Sequence, residues 1–350
     1  MAIAVAAIPL TIKTSPFLSL RQEPHFYKFQ PTLLRRHGRR ATVPPKRSPP
    51  LSCAPAPAPA PESIQDNSAS TSEAEEGKGM EEEESFTLLA SIRSPYNEIM
   101  VVDTKTSRFL LLDSSHNIHS MLNKDKIWTG SYWDEFACLP AIIPQGPVAI
   151  FGLGAGTAAH LMLELWPSLH LIGWEIDEIL IDMARDYFGL SNLEKCTKSG
   201  GSLSVRIGDA LSPSNTIEGG FAGIIVDLFS DGRVIPQLHE VTTWMEMTKK
   251  LMPNGRIMIN CGGVHAEASQ GAERTAHSNV SPDSSWVQHS TIKALCSAFP
   301  GKVSWKRMDE NESDNYLALT GPLPDLDAWS ANVPNQLSSN VRQWRTCDPA

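Results

Sequence analysis

The chain has 350 residues and a formal net charge of −9. No apolar run approaches the ~20 residues that a membrane-spanning helix needs, and the six cysteines form neither a C-x-x-C pair nor a cluster with histidine at metal-ligand spacing. The sequence therefore predicts no bilayer span, no zinc or other metal site and no disulfide framework. The excess of acid argues against general nucleic-acid binding.

Residues 1–53 are expected to be a chloroplast transit peptide. The first 61 residues hold nine Lys or Arg and a single acid among many Ser, Thr and Pro, which is typical of organelle import signals. Pro9 and Pro16 interrupt the apolar start, which favours chloroplast over mitochondrial import; a disordered basic arm is the alternative. An Ala-Pro repeat and an acidic run predict an unfolded linker over residues 54–85.

Without its first 61 residues the chain carries 21 basic and 38 acidic side chains, a net charge of −17. Such a surface favours small-molecule partners, or a cationic acceptor such as an amine that the negative field attracts. Solubility alone is the other explanation for most of these charges.

Residues 86–139 are expected to form a small β module. Two β-rich runs within Ser94–Asp113 flank a short polar turn, which predicts a hairpin. The polar segment Ser114–Lys126 is not expected to extend it far. In the aromatic and acidic segment that follows, Tyr132 and Asp134 are the candidates for substrate binding, and an ordinary packing helix is the alternative for their neighbours.

From Val148 onward, strands alternate with amphipathic helices, which predicts an α/β domain over residues 140–322 with a parallel sheet covered on both faces. The pair Lys302–Arg307 and Tyr316–Thr320 is expected to close the sheet in antiparallel fashion, and residues 323–350 are expected to be a tail. The predicted strands are Val148–Leu153, His170–Ile176, Ser202–Ile207, Phe221–Leu228 and Arg256–Cys261, and the predicted helices are Ala155–Trp166, Glu178–Phe188, Gln237–Leu251 and Ser285–Phe299.

The first strand of this domain runs into three alternating glycines, Gly152, Gly154 and Gly156. Glycine lets the backbone turn sharply and approach a ligand closely, and Glu175 at the end of the next strand can accept from both hydroxyls of a ribose. A dinucleotide site needs glycine where this chain has Thr157. The spacing thus favours a nucleoside without a pyrophosphate, such as S-adenosylmethionine, over a dehydrogenase; a purely structural turn is the alternative.

Six short motifs follow one another along the chain. They are Leu-Leu-Leu-Asp113, Tyr132-Trp-Asp134, the glycine loop, Trp174-Glu-Ile-Asp177, Gly208-Asp-Ala210 and Val226-Asp-Leu-Phe-Ser-Asp231. In this order they resemble the motifs of the aminopropyltransferase family, the spermidine and spermine synthases with their methyltransferase-like relatives. The chain resembles a plant plastid-type member of this family over residues 94–322.

The resemblance implies a class I methyltransferase (Rossmann-like) parallel sheet with a closing antiparallel strand pair, preceded by a small β-hairpin module. It places the glycine loop under the tail of the ligand and Glu175 on the ribose. Asp209 would accept from the adenine amino group with Ala210 beside it, and capping of the following turn is the other explanation for Asp209. A homodimer is expected by analogy with the family.

Departures from the family pattern shape the expected activity. Ala155 stands where the synthases carry an acid that meets the cationic tail of decarboxylated S-adenosylmethionine. Such an opposed pair at ~4 Å is worth up to ~4 kcal/mol, so its loss favours the undecarboxylated cofactor. Asp227 and Asp231, the catalytic candidates, are four residues apart rather than three, and Trp133 replaces a polar contact to the polyamine.

We therefore expect an S-adenosylmethionine-dependent methyltransferase that acts on an unidentified acceptor, because methyl transfer needs orientation more than a strong base. A polyamine aminopropyltransferase that uses the decarboxylated ligand, with Asp231 as the base, is the alternative. A non-catalytic protein that binds an adenosyl metabolite is the second alternative.

Overall fold

The computed structural model describes residues 86–113, 117–263, 282–308 and 315–347. The transit peptide and linker predicted over residues 1–85, and most of the polar loop predicted at His265–Ser284, lie outside these residues. In the described part of the chain, no helix is both long enough and apolar enough to cross a membrane.

The N-terminal part is a four-stranded antiparallel sheet. Its strands, which follow one another in the sheet as they do in the chain, are β1 (Thr87–Arg93), β2 (Glu98–Asp103), β3 (Ser107–Leu111) and β4 (Ser120–Asn123). The predicted hairpin is present as β2 and β3, in which Met100 pairs with Leu111.

Strand β4 lies in Ser114–Lys126, a segment that we did not expect to extend the hairpin, so this expectation was wrong. Its backbone pairs with β3, and the backbone N–H and C=O of Met121 both bond to the Thr157 hydroxyl of the main domain, at 2.8 and 3.0 Å. Contacts distant in sequence therefore stabilise a strand that its polar composition alone does not favour.

The main domain is an eight-stranded sheet. Its strands are β5 (Val148–Phe151), β6 (His170–Glu175), β7 (Ser202–Ile207), β8 (Phe221–Val226), β11 (Leu251–Gly263), β12 (Val303–Arg307), β13 (Asn315–Thr320) and β14 (Arg345–Thr346). Their order in the sheet is β14-β12-β13-β11-β8-β5-β6-β7. The five strands from β11 to β7 are parallel, whereas β13, β12 and β14 each pair antiparallel to their neighbour. The predicted parallel sheet and its closing antiparallel pair are confirmed.

Helices cover both faces of this sheet. One buried cluster contains Ile150 and Leu161, and the other contains Phe151 and Trp244; neighbouring residues of a single strand thus point into opposite layers, as strand geometry requires. The helices are α1 (Tyr132–Phe136), α2 (Thr157–Leu165), α3 (Glu178–Tyr187), α4 (Leu190–Leu193), α5 (Val241–Thr248), α6 (Ser290–Ala298) and α7 (Leu326–Asn332).

Several element boundaries differ from the predictions. Helix α5 is shorter than Gln237–Leu251 because Pro236–His239 forms a separate 3₁₀ turn. The turn predicted at Pro253–Gly255 lies within β11, where Asn254 has a φ of 63° and the pairing with β8 shifts register. Residues 252–255 of β11 lie opposite a single residue of β8, so the predicted turn is present as an irregularity within the strand.

The segment expected to be a C-terminal tail packs against the main domain. Trp329 and Trp344 are 1% and 2% exposed, and the Trp329 indole N–H donates to the Cys138 carbonyl at 2.9 Å. Strand β14 pairs with β12 at the edge of the sheet. Residues 323–347 are thus part of the folded domain.

Candidate functional site

The predicted ligand-binding residues converge at the carboxyl ends of the parallel strands. From β5 the strand order proceeds to β6 and β7 on one side and to β8 on the other, and such a point of reversal is where open α/β sheets bind ligands. The Asp227 N–H donates to the Phe151 carbonyl and the Gly208 N–H to that of Glu175, both at 2.8 Å. The first bond joins the loops that follow β8 and β5, and the second joins the loops that follow β7 and β6. The loops at the ends of these four adjacent strands therefore lie side by side.

The glycine loop requires glycine at its first position for two reasons. Gly152, Gly154 and Gly156 have φ values of 87°, 55° and 88°, a region that other residues rarely adopt. A Cβ on Gly152 would also lie 2.1 Å from the Asp227 carbonyl oxygen. The absence of a side chain thus lets the loop after β5 pass directly over the end of β8, and α2 begins immediately after Gly156.

Glu175 lies against this loop, at the last position of β6. One carboxylate oxygen accepts from the Gly154 N–H at 3.0 Å, and the other accepts from Ile176 and Asp177 at 3.0 and 3.2 Å. Burial raises the pKa of Glu175, and these three donors partly offset the effect. These three backbone donors fix the orientation of the carboxylate at the carboxyl end of β6.

Asp177 has a structural role at the start of α3. Its Oδ1 caps α3 by accepting from Ile179 and Leu180, and its Oδ2 accepts from the Asn97 side chain at 2.7 Å and from the Ser94 hydroxyl. This buried carboxylate joins the turn between β1 and β2 to the main domain.

Asp209 and Ala210 follow β7 at the same edge of the sheet. Ala210 is buried and Asp209 is exposed, and the Asp209 Oδ1 accepts from the Leu211 N–H at 2.9 Å. The turn-capping role of Asp209 is therefore present in the structure. The preceding residue, Gly208, donates its N–H to the Glu175 carbonyl, so Asp209 lies in the loop beside the end of β6.

Lys250, which the sequence did not reveal, holds the loop that carries Asp209. Its ammonium donates to the carbonyls of Ser212 and Asn215 at 2.8 and 3.1 Å, and the Asn215 amide donates to the Asp209 carbonyl at 2.7 Å. Burial lowers the pKa of Lys250. One buried cation thus organises several carbonyls of this loop.

Asp227 is the carboxylate at the centre of the site, just after β8. Its Oδ2 accepts from the Tyr132 hydroxyl at 3.1 Å and its Oδ1 from the Asn260 amide at 3.0 Å. Burial raises the pKa of Asp227 from 3.8 to about 6, although the donors Asn260, Tyr132 and Trp133 oppose that rise. A carboxyl group whose pKa lies this close to neutral pH is suited to accept and return a proton.

Two polar residues of the strands orient this carboxylate. Asn260 is 1% exposed, and its side-chain oxygen accepts from the Asn315 amide at 2.7 Å. The chain of bonds runs from β13 through β11 to Asp227. An asparagine in the apolar run Ile257–Cys261 was the available sequence signal for this role.

Tyr132 donates to Asp227 from the first turn of α1. Burial, and then the nearby carboxylate, raise the pKa of the Tyr132 hydroxyl well above its usual value of 10, so the hydroxyl stays protonated. Its ring lies 4.5 Å from that of Trp133 and 5.8 Å from that of Phe136, measured between ring centroids. Packing of α1 thus fixes the position of the phenol.

The carboxylates of the other two acidic candidates are associated with local turns. Asp134 accepts from the Thr129 hydroxyl at 2.7 Å and from the Gly130 N–H at 2.9 Å, so it holds the turn before α1. Asp231 is exposed, with a φ of 49°, at the tip of the ribbon formed by β9 (Phe229–Ser230) and β10 (Arg233–Val234). The sequence Asp-Gly at this tip is a turn signal.

Ala155 is enclosed by protein. It is 2% exposed, and its N–H donates to the Ser120 hydroxyl at 2.9 Å. That hydroxyl also lies 2.6 Å from where a Cβ on Gly154 would be. Strand β4 therefore packs directly on the glycine loop, and position 155 contributes no charge to the site.

Within the described residues, no group of three or more His, Cys, Asp or Glu side chains is arranged to hold a metal ion. The acidic side chains at the edge of the sheet instead bond to backbone N–H groups, amides and the Tyr132 hydroxyl.

No family model matches the chain. A probable polyamine aminopropyl transferase of Bifidobacterium longum is 25% identical over 169 residues, which are 48% of this chain and 36% of that protein; the match thus spans little more than a third of that relative. A crystal structure of a probable spermidine synthase from Corynebacterium glutamicum superposes with a TM-score of 0.50 and 14% identity, over 75% of this chain and 97% of that one. The chain therefore shares the fold of that solved structure, an α/β fold with a mostly parallel central sheet and a closing antiparallel strand pair.

Proposed function

We propose that this protein is an aminopropyltransferase, which uses decarboxylated S-adenosylmethionine to alkylate an amine. One observation carries the proposal: Asp227, with a pKa of about 6, bonds to Tyr132 beside the glycine loop. The match to a probable polyamine aminopropyl transferase supports it. Our sequence-based expectation favoured methyl transfer, and the comparisons favour the alternative.

The residues at the edge of the sheet fit an adenosyl donor. A Cβ on Gly208, whose φ is 144°, would meet no atom within 4 Å, so there is open space beside the backbone where the loop after β7 begins. We assign Glu175 to the ribose, Asp209 to the adenine amine and the glycine loop to the tail. When bound, the donor would supply a sulfonium whose aminopropyl methylene carbon accepts the amine nitrogen, while the bond from that carbon to sulfur breaks and the nucleoside leaves as a neutral thioether.

The proposed base is Asp227. An alkyl amine is protonated at neutral pH, as lysine is, so it must lose a proton before its nitrogen can form a bond to carbon. The Asp227 carboxylate accepts that proton, while Tyr132 and Asn260 keep one oxygen each in a fixed direction. The same carboxylate supplies negative charge near the cationic donor and acceptor, in place of the acid that position 155 lacks.

Methyl transfer remains the second candidate because of Ala155. This position is buried and uncharged, so nothing there opposes the carboxylate of ordinary S-adenosylmethionine. In that case Asp227 would orient the acceptor, and a strong base would not be required.

Two measurements separate the candidates. Calorimetry with both forms of the donor gives the cofactor preference, and product analysis with putrescine and other amines gives the transferred group. Asp227→Asn and Asp231→Asn form a matched pair, since each exchanges one carboxylate for an amide. We expect tighter binding of the decarboxylated donor, an aminopropylated amine as product, and a loss of 10²-fold or more in turnover only with Asp227→Asn.

Other results would redirect the assignment. A methylated product, or clear preference for the carboxylated donor, would establish the second candidate. Loss of turnover with Asp231→Asn but not with Asp227→Asn would move the base to the ribbon tip. Binding without turnover of any acceptor would indicate a non-catalytic adenosyl-binding protein.

A further inference from the structure

Helix α1, which carries Tyr132, is too short to hold its own position. It has five residues, and its N-cap, Ser131, makes no side-chain cap hydrogen bond. Isolated helices shorter than about 12 residues are marginal in water, so contacts with other parts of the fold set the position of α1. Those contacts decide where the Tyr132 hydroxyl lies relative to Asp227.

Glu135 anchors α1 through a buried ion pair. Its Oε1 lies 2.6 Å from the Nζ of Lys306 in β12, and the side chains of the two residues are 0% and 2% exposed. Asn340, in the C-terminal segment (residues 323–347), donates its side-chain amide to the same Oε1 at 2.9 Å. The Lys306 ammonium also donates to the Asn340 carbonyl at 3.2 Å. Each of these three residues is thus bonded to the other two.

Two indole groups hold the end of the same helix. The Ala137 carbonyl accepts from the Trp166 indole N–H, and the Cys138 carbonyl accepts from that of Trp329, both at 2.9 Å. Carbonyls at the end of a helix have no partner within the helix, so these bonds satisfy groups that would otherwise need water. Trp329, like Asn340, belongs to the C-terminal segment, which therefore contacts this part of the chain at two points.

Helix α1 bridges two strands of the main sheet. Tyr132 and Glu135 are three residues apart, so they are neighbours on one face of the helix. Tyr132 reaches Asp227 at the end of β8, whereas Glu135 reaches Lys306 in β12. In the sheet, β11 and β13 lie between these two strands. A displacement of Glu135 would therefore displace the Tyr132 hydroxyl as well.

A charged anchor restricts α1 more narrowly than an apolar anchor does. Apolar contact is non-directional, whereas the Glu135 carboxylate must meet both of its donors at hydrogen-bond distance and angle. Exchanging a buried ion pair for apolar residues of similar volume is often neutral or stabilising. Stability alone therefore does not explain a charged pair at this position, and directional control of the helix does.

We propose that Glu135, held by Lys306 and Asn340, is a positioning residue, which places α1 so that the Tyr132 hydroxyl donates to Asp227. The importance of this bond for turnover rests on the proposed function, in which Asp227 is the base. The placement of the hydroxyl itself can be measured without any substrate.

The test uses the full-length protein with Glu135→Leu and Lys306→Met combined, here called the apolar variant. Because both charges are removed together, we expect it to fold, with a melting temperature within about 5 °C of wild type. Carbon-13 NMR follows the Asp227 carboxyl against pH, and its signal is assigned by its loss in Asp227→Asn. Loss of the Tyr132 donor should move the inflection upward from about 6 by up to ~1 unit. Tyr132→Phe should add no further shift in this background.

Arg185→Met combined with Glu194→Leu is the matched control. This pair is also bonded at 2.8 Å, but its side chains are partly exposed, and it should leave the inflection unchanged. An unmoved inflection in the folded apolar variant, or an equal Tyr132→Phe shift in both backgrounds, would overturn the proposal. If the apolar variant does not fold, Asn340→Ala, which removes one donor to Glu135, is measured instead: an upward shift supports the positioning role and no shift overturns it.

Turnover separates this proposal from the proposed function. With decarboxylated S-adenosylmethionine and putrescine, the apolar variant should lose about tenfold or more in kcat with little change in KM. If wild type transfers no aminopropyl group but the carboxyl inflection moves as expected, the proposed function fails and the positioning role of Glu135 stands. Full turnover by the apolar variant with an unmoved inflection would keep the function and overturn the positioning role.

Discussion

Replacing Asp227 by Asn should stabilise the folded protein in a pH-dependent way while removing the proposed base. The pKa of this carboxyl is about 6 in the folded protein, against 3.8 for the ordinary group. Between these two values the folded state binds more protons than the unfolded state, so the free energy of unfolding decreases as pH rises. The destabilisation is complete above the folded pKa and is absent below about pH 4.

The magnitude follows from the same shift. Two pKa units correspond to ~3 kcal/mol at 1.36 kcal/mol per unit. Because Asp227 is only half-buried, solvent screening reduces this value, and we expect a gain of ~1–3 kcal/mol in Asp227→Asn at pH 8. The gain should be clearly smaller at pH 5, where the folded carboxyl is mostly protonated.

Urea denaturation of wild type and Asp227→Asn at pH 5 and pH 8 measures this difference directly and requires no substrate. Asp231→Asn, an exposed site in a turn, is the matched control and should change stability by no more than ~0.5 kcal/mol at either pH. The free energy of unfolding of Asp227→Asn is compared with that of wild type at each pH. If the difference is the same at pH 5 and pH 8, the pKa of Asp227 is not raised, and the reason for assigning the base to this residue is lost.

Three further predictions concern the groups around this carboxylate. Tyr132→Phe removes a donor to the ionised base, so the inflection of kcat/KM against pH should move upward from about 6 by up to ~1 unit; an unmoved inflection would contradict the proposed pairing. Gly152→Ala should cost more than ~3 kcal/mol in urea denaturation, against ~1–2 for Gly130→Ala, because both have positive φ but only Gly152 lacks room for a Cβ; equal costs would exclude the backbone clash. Lys250→Met should weaken adenosyl-ligand binding severalfold in calorimetry, whereas Lys249→Met, an exposed neighbour, should not; equal affinities would show that the loop does not depend on its buried cation.

Local patterns in the sequence identified most of the residues that we assign to the adenosyl donor. The glycine loop and Glu175 belong to consecutive strands of one βαβ unit, where the periodicity of strand and helix fixes which ends meet. The 3.0 Å bond from the Gly154 N–H to Glu175 shows that these two predicted elements lie together, and their roles in ligand binding stay predictions. The Asp-Gly pair at Asp231 is also a local turn signal. The sequence also makes the same acid a catalytic candidate.

Contacts between segments that are distant in sequence determine the other features, which are the surroundings of Asp227 and the packing of the C-terminal segment. Tyr132 and Asp227 are 95 positions apart, and Asn260 joins them only because β11 pairs with β8. The C-terminal segment is polar enough to be interpreted as a tail, yet it buries Trp329 and Trp344 against the main domain. Composition and periodicity report which residues can be buried and in what local geometry, but which buried surfaces meet depends on the free energy of packing the whole chain. For that reason the sequence indicated a nucleoside pocket, whereas only the tertiary structure showed which acid in it is held by a tyrosine and an asparagine.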